Sequence, residues 1–181
     1  DEPDAVAEMW VQQALVSRMQ GRSVDSLLEA RRAFRTSRRS ADPTTALKVM
    51  VAIGEARLDA DSADRGTLWL RRALKRAERA HMFVEVAWIR NRLIPAYIES
   101  GGWSNAELAG RRGVSLAASM NLRQSLRRSE AALAQVQALR GEVSAEYLQT
   151  RLVADDLGNP LIFTAIAVAL YEKLRNMLRS V

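Results

Sequence analysis

Apolar residues recur at spacings of three and four along most of the chain, the signature of helices with one buried face. The first run carries Ala7, Trp10, Val11 and Ala14, and a later one Leu47, Met50, Val51 and Gly54. A third has Ala87 and Ile94 around Leu93, with Arg90 inside the stripe, and a fourth has Leu126, Ala131, Leu133 and Ala134. Between them lie runs with Leu28, Ala33, Phe34 and Ser37, then Leu68, Ala73, Leu74 and Ala77. Turn chemistry separates these segments: Gly21, Asp61, Gly101 and Gly141 at one set of breaks, and Ala41-Asp42-Pro43, Met120-Asn121-Leu122 and Gly158-Asn159-Pro160 at the other. A ninth helix, over about 161–179, has no partner behind it.

The segments are periodic at a larger scale. Cut every forty residues, the chain places Leu28, Leu68, Leu108 and Leu148 in one column and Arg31, Arg71, Arg111 and Arg151 in another, with Arg32, Arg72 and Arg112 beside them. Each unit reads as two helices that cannot bury their apolar stripes alone, so stacking the units is the physical solution. The prediction is an all-α fold, a right-handed α–α superhelix of about four and a half helix pairs. Its units are about 1–40, 41–80, 81–120 and 121–160, with a last helix over 161–181. First helices should line the concave face and second helices the convex face.

The stretch Trp69-Leu70-Arg71-Arg72-Ala73-Leu74, set between a helix-ending turn and a small-residue stripe, resembles the tetratricopeptide repeat (TPR). The forty-residue period and the exit Leu157-Gly158-Asn159-Pro160, followed by Leu161 and Ala165, are similar to the long-helix variant of MalT-like and LuxR-type bacterial transcriptional regulators. Arg90 and Glu130 depart from that pattern, standing where it favours a large apolar residue, and Pro95 sits well inside a first helix. The resemblance implies a sensor and docking arm, with ATPase and DNA-reading functions in other domains of a larger parent protein.

Composition narrows the chemistry. The 181 residues, 48% hydrophobic and 27% charged, suit one soluble domain, and nine glycines with four prolines are few for an all-β fold. With no cysteine and one histidine, thiol catalysis, disulfides and multi-histidine metal centres are excluded. The formal charge is +6, and of 27 basic residues all but Lys48, Lys75 and Lys173 are arginine. The start, Asp1-Glu2-Pro3-Asp4, lacks an initiator methionine and a signal segment, which reads as an excised piece of a cytoplasmic protein. The longest apolar stretch, 161–170, is about half the ~20 residues needed to cross a bilayer, so no membrane partner is predicted.

Two surfaces are candidates for binding. Helical projection points Glu8, Gln12, Lys48, Glu55, Trp88, Asn91, Arg92, Arg128 and Gln135 off the core toward the concave face. Trp88 and Arg92, four apart, can form an aromatic–guanidinium platform. Of these, Lys48, Glu55, Trp88, Asn91, Arg92 and Arg128 are the predicted partner-binding residues. The second surface is the basic stripe Arg31, Arg32, Arg71, Arg72, Arg111 and Arg112. It reads either as a site for an acidic partner or nucleic acid, or as a solvated face paired with Glu29, Glu78 and Glu107.

Other features carry less. Trp10, Trp69 and Trp103 read as packing anchors or surface caps, and His81 as an exposed turn residue. Asp155-Asp156 and Asp59-x-Asp61 lack calcium-loop spacing, there is no phosphate-binding loop, and Gly101-Gly102 before Trp103-Ser104 reads as a turn and helix cap. No catalytic constellation, metal site or cofactor is predicted. The function predicted is therefore binding of a protein or peptide, with effector sensing. Its rivals are nucleic-acid or acidic-partner binding through the arginines, and a scaffold that dimerises through Ile162, Ile166 and Leu170.

Overall fold

The computed structural model describes residues 2–39, 42–60 and 63–141. They form seven helices: α1 (Glu2–Met19), α2 (Ser23–Ser37), α3 (Pro43–Asp59), α4 (Ala63–Arg79), α5 (Phe83–Glu99), α6 (Trp103–Ser119) and α7 (Arg123–Arg140). These make three helix pairs and the first helix of a fourth. The predicted partner of α7, the ninth helix with its dimerising face, Asp61, Leu148, Arg151 and the exit at 157–160 lie outside the described residues.

Helices α2 to α7 begin at 23, 43, 63, 83, 103 and 123, so the forty-residue repeat is built from two steps of twenty. The turns explain the regularity. After α1, α4, α5 and α6 the same bond closes the helix: Arg22 N to Ser17 O at 2.9 Å, Met82 N to Ala77 O at 3.0 Å, Gly102 N to Tyr97 O at 2.7 Å, and Leu122 N to Ala117 O at 2.8 Å. Such a cap needs one residue in the left-handed region, and Gly21, His81, Gly101 and Asn121 supply it. His81 (φ 54°) thus holds a backbone position that glycine fills elsewhere. At the start of α6 the cap is Gly102, and Ser104, read as part of the cap, lies within the helix.

The chain enters α3 differently. Asp42 caps it, accepting from Thr44 N at 3.0 Å, Thr45 N at 2.8 Å and the Thr45 hydroxyl at 2.8 Å, with Pro43 in the first turn. Asp42→Ala should cost about 1 kcal/mol in urea unfolding. The Thr45 hydroxyl bond, then the two amide bonds, hold the Asp42 carboxyl below its ordinary value of 3.8. A folded value below the unfolded one gives stability that is full above the ordinary aspartate range and fades as pH falls through the folded value. Asp42→Asn should therefore flatten the acid limb of the stability curve.

First helices pack directly on one another, α1 on α3, α3 on α5 and α5 on α7, while each second helix packs on the first helices beside it. The core lies between the layers. Leu47, Val51, Leu70, Ala73, Val86, Ile89 and Leu93 form its centre, and Ala7, Ala14, Ala30, Ala33, Val49 and Ile53 continue it toward the N-terminus. The second helices bury mainly small residues: Ser26, Ala30 and Ala33 in α2; Gly66, Leu70, Ala73 and Ala77 in α4; Ala106, Gly110, Gly113 and Ala117 in α6. This corrects the apolar stripe read from sequence. Leu28, Leu68 and Leu108, its most regular column, are 48%, 45% and 46% exposed, and Phe34 is also on the surface. They fall on the outer side of the second helices, whose inner faces carry small side chains at the close helix contacts, with Leu70 the one large residue among them.

Arg90, the departure from the repeat pattern, is largely buried and bridges to Glu78 of α4 at 2.8 Å. Pro95 lies inside α5, which continues to Glu99.

Candidate functional site

Three first helices side by side, α1, α3 and α5, line an open cavity of about 300 Å³. Val11, Ala14, Leu47, Val51 and Ala52 supply apolar walls, a consequence of the three-and-four spacing that also feeds the core. Lys48, Glu55, Trp88 and Arg92 line it, as does Arg18, which sequence reasoning missed.

The charged groups are paired across the helices. Glu55 of α3, the one buried charged residue among the described residues, meets Arg92 of α5 at 3.1 Å and Arg18 of α1 at 3.5 Å. The Arg18 Nε donates to Asp59 at 2.6 Å, and the Lys48 ammonium donates to Glu8 of α1. Every one of these pairs ties one unit to the next. On the same rim, partial desolvation and then the charge of Asp59 raise the Glu99 carboxyl above its ordinary range, against the pull of Arg18.

The Arg92 guanidinium lies 5.8 Å from the centre of the Trp88 ring. Paired with Glu55, it stands beside an aromatic ring at the edge of an apolar hollow. Such a surface can take an apolar side chain or flat group while polar groups on the rim orient what carries it.

The remaining predicted residues lie elsewhere. Asn91, expected on the concave face, is half-buried between α5 and α7, where its Oδ1 accepts from the fully buried Ser129 hydroxyl at 2.9 Å. That bond joins two first helices. Arg128 is exposed on α7, outside the cavity lining. All six arginines of the basic stripe are exposed on α2, α4 and α6. Arg111 pairs with Glu107, which Arg140 also engages, and these bonds, Arg111's first, lower the Glu107 carboxyl. Arg32 lies over Trp10 at 4.9 Å and Arg72 over Trp69 at 6.0 Å. Of the carboxylates expected to neutralise the stripe, Glu107 does so, Glu78 turns to Arg90, and the buried Glu29 Oε2 has no hydrogen-bond partner. Among the described residues no three His, Cys, Asp or Glu converge to hold a metal ion, and no helix is long and apolar enough to cross a membrane.

No protein-family model matches the chain, and no curated protein sequence does. Solved structures do match. The chain is similar to aspartyl phosphate phosphatase F from Bacillus subtilis, at 13% identity and a TM-score of 0.75, over 99% of this chain and 49% of that one. It is also similar to a signal transduction ATPase with numerous domains and a tetratricopeptide repeat sensor from Pyrococcus horikoshii, at 15% identity and a TM-score of 0.70, over 93% of this chain and 27% of the other. The apo form of RapI matches at 14% identity with a TM-score of 0.65, over 96% of this chain and 55% of its own. The chain thus spans half or less of the first two. At such identities the likeness is one of fold, and the fold is a tetratricopeptide-like helical solenoid.

Proposed function

We propose that this TPR-like solenoid is a protein- or peptide-binding module rather than an enzyme, and that its ligand lies along the concave face over the cavity between α1, α3 and α5. The observation that carries the reading is the Trp88–Arg92 platform beside apolar walls, fixed by the buried Glu55. An apolar side chain of the ligand enters the hollow against Trp88, and its flanking backbone meets the charged rim. A cavity of about 300 Å³ also stands at the small end of the range for effector molecules. In this reading the chain is the sensing arm of a cytoplasmic bacterial transcriptional regulator of the MalT-like or LuxR type, whose other domains bind DNA. The long repeat supports it, as does the likeness to an ATPase described as carrying a TPR sensor.

The test is selection of binders from a displayed random peptide library, followed by titration. Trp88→Ala with Arg92→Ala should weaken the selected peptides by about tenfold or more, as expected for an aromatic anchor, with the far-UV spectrum unchanged. Undiminished affinity in that double variant would remove the concave site.

A further inference from the structure

The convex face carries a feature that neither the core nor the groove uses. Each second helix presents a leucine followed at three and four residues by two arginines: Leu28 with Arg31 and Arg32, Leu68 with Arg71 and Arg72, Leu108 with Arg111 and Arg112. All nine are exposed. The three- and four-residue offsets put each leucine and its arginines on one side of their helix. Buried positions between them change from unit to unit, as Ala30, Leu70 and Gly110 do, while this exposed triplet is the same in all three.

We infer that this ridge is a second binding surface, independent of the concave groove, and that its occupant is an amphipathic helix of a partner protein with a leucine-like apolar stripe bordered by Glu or Asp. Charge complementarity sets the acidic border: the triplets carry six arginines, and among the described residues Arg111 is the one with an ion pair to a carboxylate. The cation–π contacts of Arg32 and Arg72 stay within their own units and leave donor groups for a ligand. None of the six ties one unit to another, in contrast to the concave face. The leucines decide against a phosphate backbone, which gains nothing from three half-exposed aliphatic side chains, whereas an apolar stripe covers them. Between α2 and α4 the edge-to-face pair of Phe34 and Trp69, centroids 5.5 Å apart, adds an aromatic floor to the same face.

The probe is a synthetic three-heptad helix with leucine at a and d, glutamate on the flanks and alanine outside, titrated by fluorescence anisotropy. A scrambled peptide of equal composition, a DNA duplex and phosphatidylglycerol-containing vesicles serve as rivals. The helix should bind, and Leu28→Ser with Leu68→Ser and Leu108→Ser should weaken it about tenfold or more. Replacing Arg31, Arg71 and Arg111 by Gln should weaken it similarly and flatten its salt dependence. Trp88→Ala should leave it unchanged. Because exposed positions contribute little to stability, the leucine and arginine variants should retain the wild-type melting temperature. No binding of the helix, equal binding of the scrambled peptide, a loss on Trp88→Ala, or tighter leucine-independent binding of duplex or vesicles would each overturn the inference.

Discussion

Gly66→Val should destabilise the protein by about 3 kcal/mol, an upper-range value for overpacking a close helix contact. The helices α3 and α4 cross where Gly54 faces Gly66. A Cβ at position 66 would stand 2.7 Å from the Leu58 Cγ and 2.8 Å from the Gly54 carbonyl oxygen; at position 54 it would stand 2.8 Å from the Leu70 Cγ. Leu58 can rotate aside, but the Gly54 backbone cannot move without shifting its helix. Replacing a helical glycine by alanine ordinarily gains about 1 kcal/mol of propensity and by β-branched valine less, a gain that the backbone clash outweighs here. Leu58→Ala in the same chain should therefore restore part of the loss and leave the rest. Urea unfolding of the single and double variants measures this, and a Gly66→Val protein within about 0.5 kcal/mol of wild type would contradict so close a crossing.

Glu55→Ala should cost about 2 kcal/mol and also loosen the groove. Removing one member of a buried ion pair costs ~3–5 kcal/mol, and the partial exposure of the Arg18 and Arg92 side chains, 30% and 38%, reduces that. Arg92 would be left without its carboxylate, while Arg18 would keep Asp59. Arg92 would lose the contact that holds it beside Trp88, so affinity for groove-selected peptides should fall together with stability. Glu55→Gln keeps an acceptor and should fall between the two. Urea unfolding and peptide titration on the same samples check both effects; wild-type stability in Glu55→Ala would show that the carboxylate does not organise the face.

The architecture was legible because the turns and the small residues repeat. Gly21, Gly101 and Asn121 announce left-handed caps, and the columns at forty-residue spacing give the pairing of helices. The direction of the second helices was harder to read. A column of leucines looks like a core column, and only the distance of closest approach reveals that Ala30, Ala33, Ala73, Gly110 and Gly113 are the buried side. The groove was legible where partners are four apart on one helix, as Trp88 and Arg92 are. It was not legible where partners come from different helices. Nothing local to Arg18 announces Glu55 and Asp59, and nothing near Asn91 announces Ser129. Those pairings depend on the register between units, which periodicity suggests only after the stack is assumed.

The step of twenty residues has a further consequence for how such a chain can grow or shrink. One residue added inside a helix rotates everything after it by about 100° and turns the buried face toward solvent. A complete added helix of twenty restores the rotation but exchanges inner for outer, placing concave residues on the convex side. Only forty returns every following side chain to its layer. Length variation in this architecture is therefore quantised: substitutions can accumulate singly, whereas viable insertions and deletions come as whole helix pairs, and fractional ones are confined to the turns.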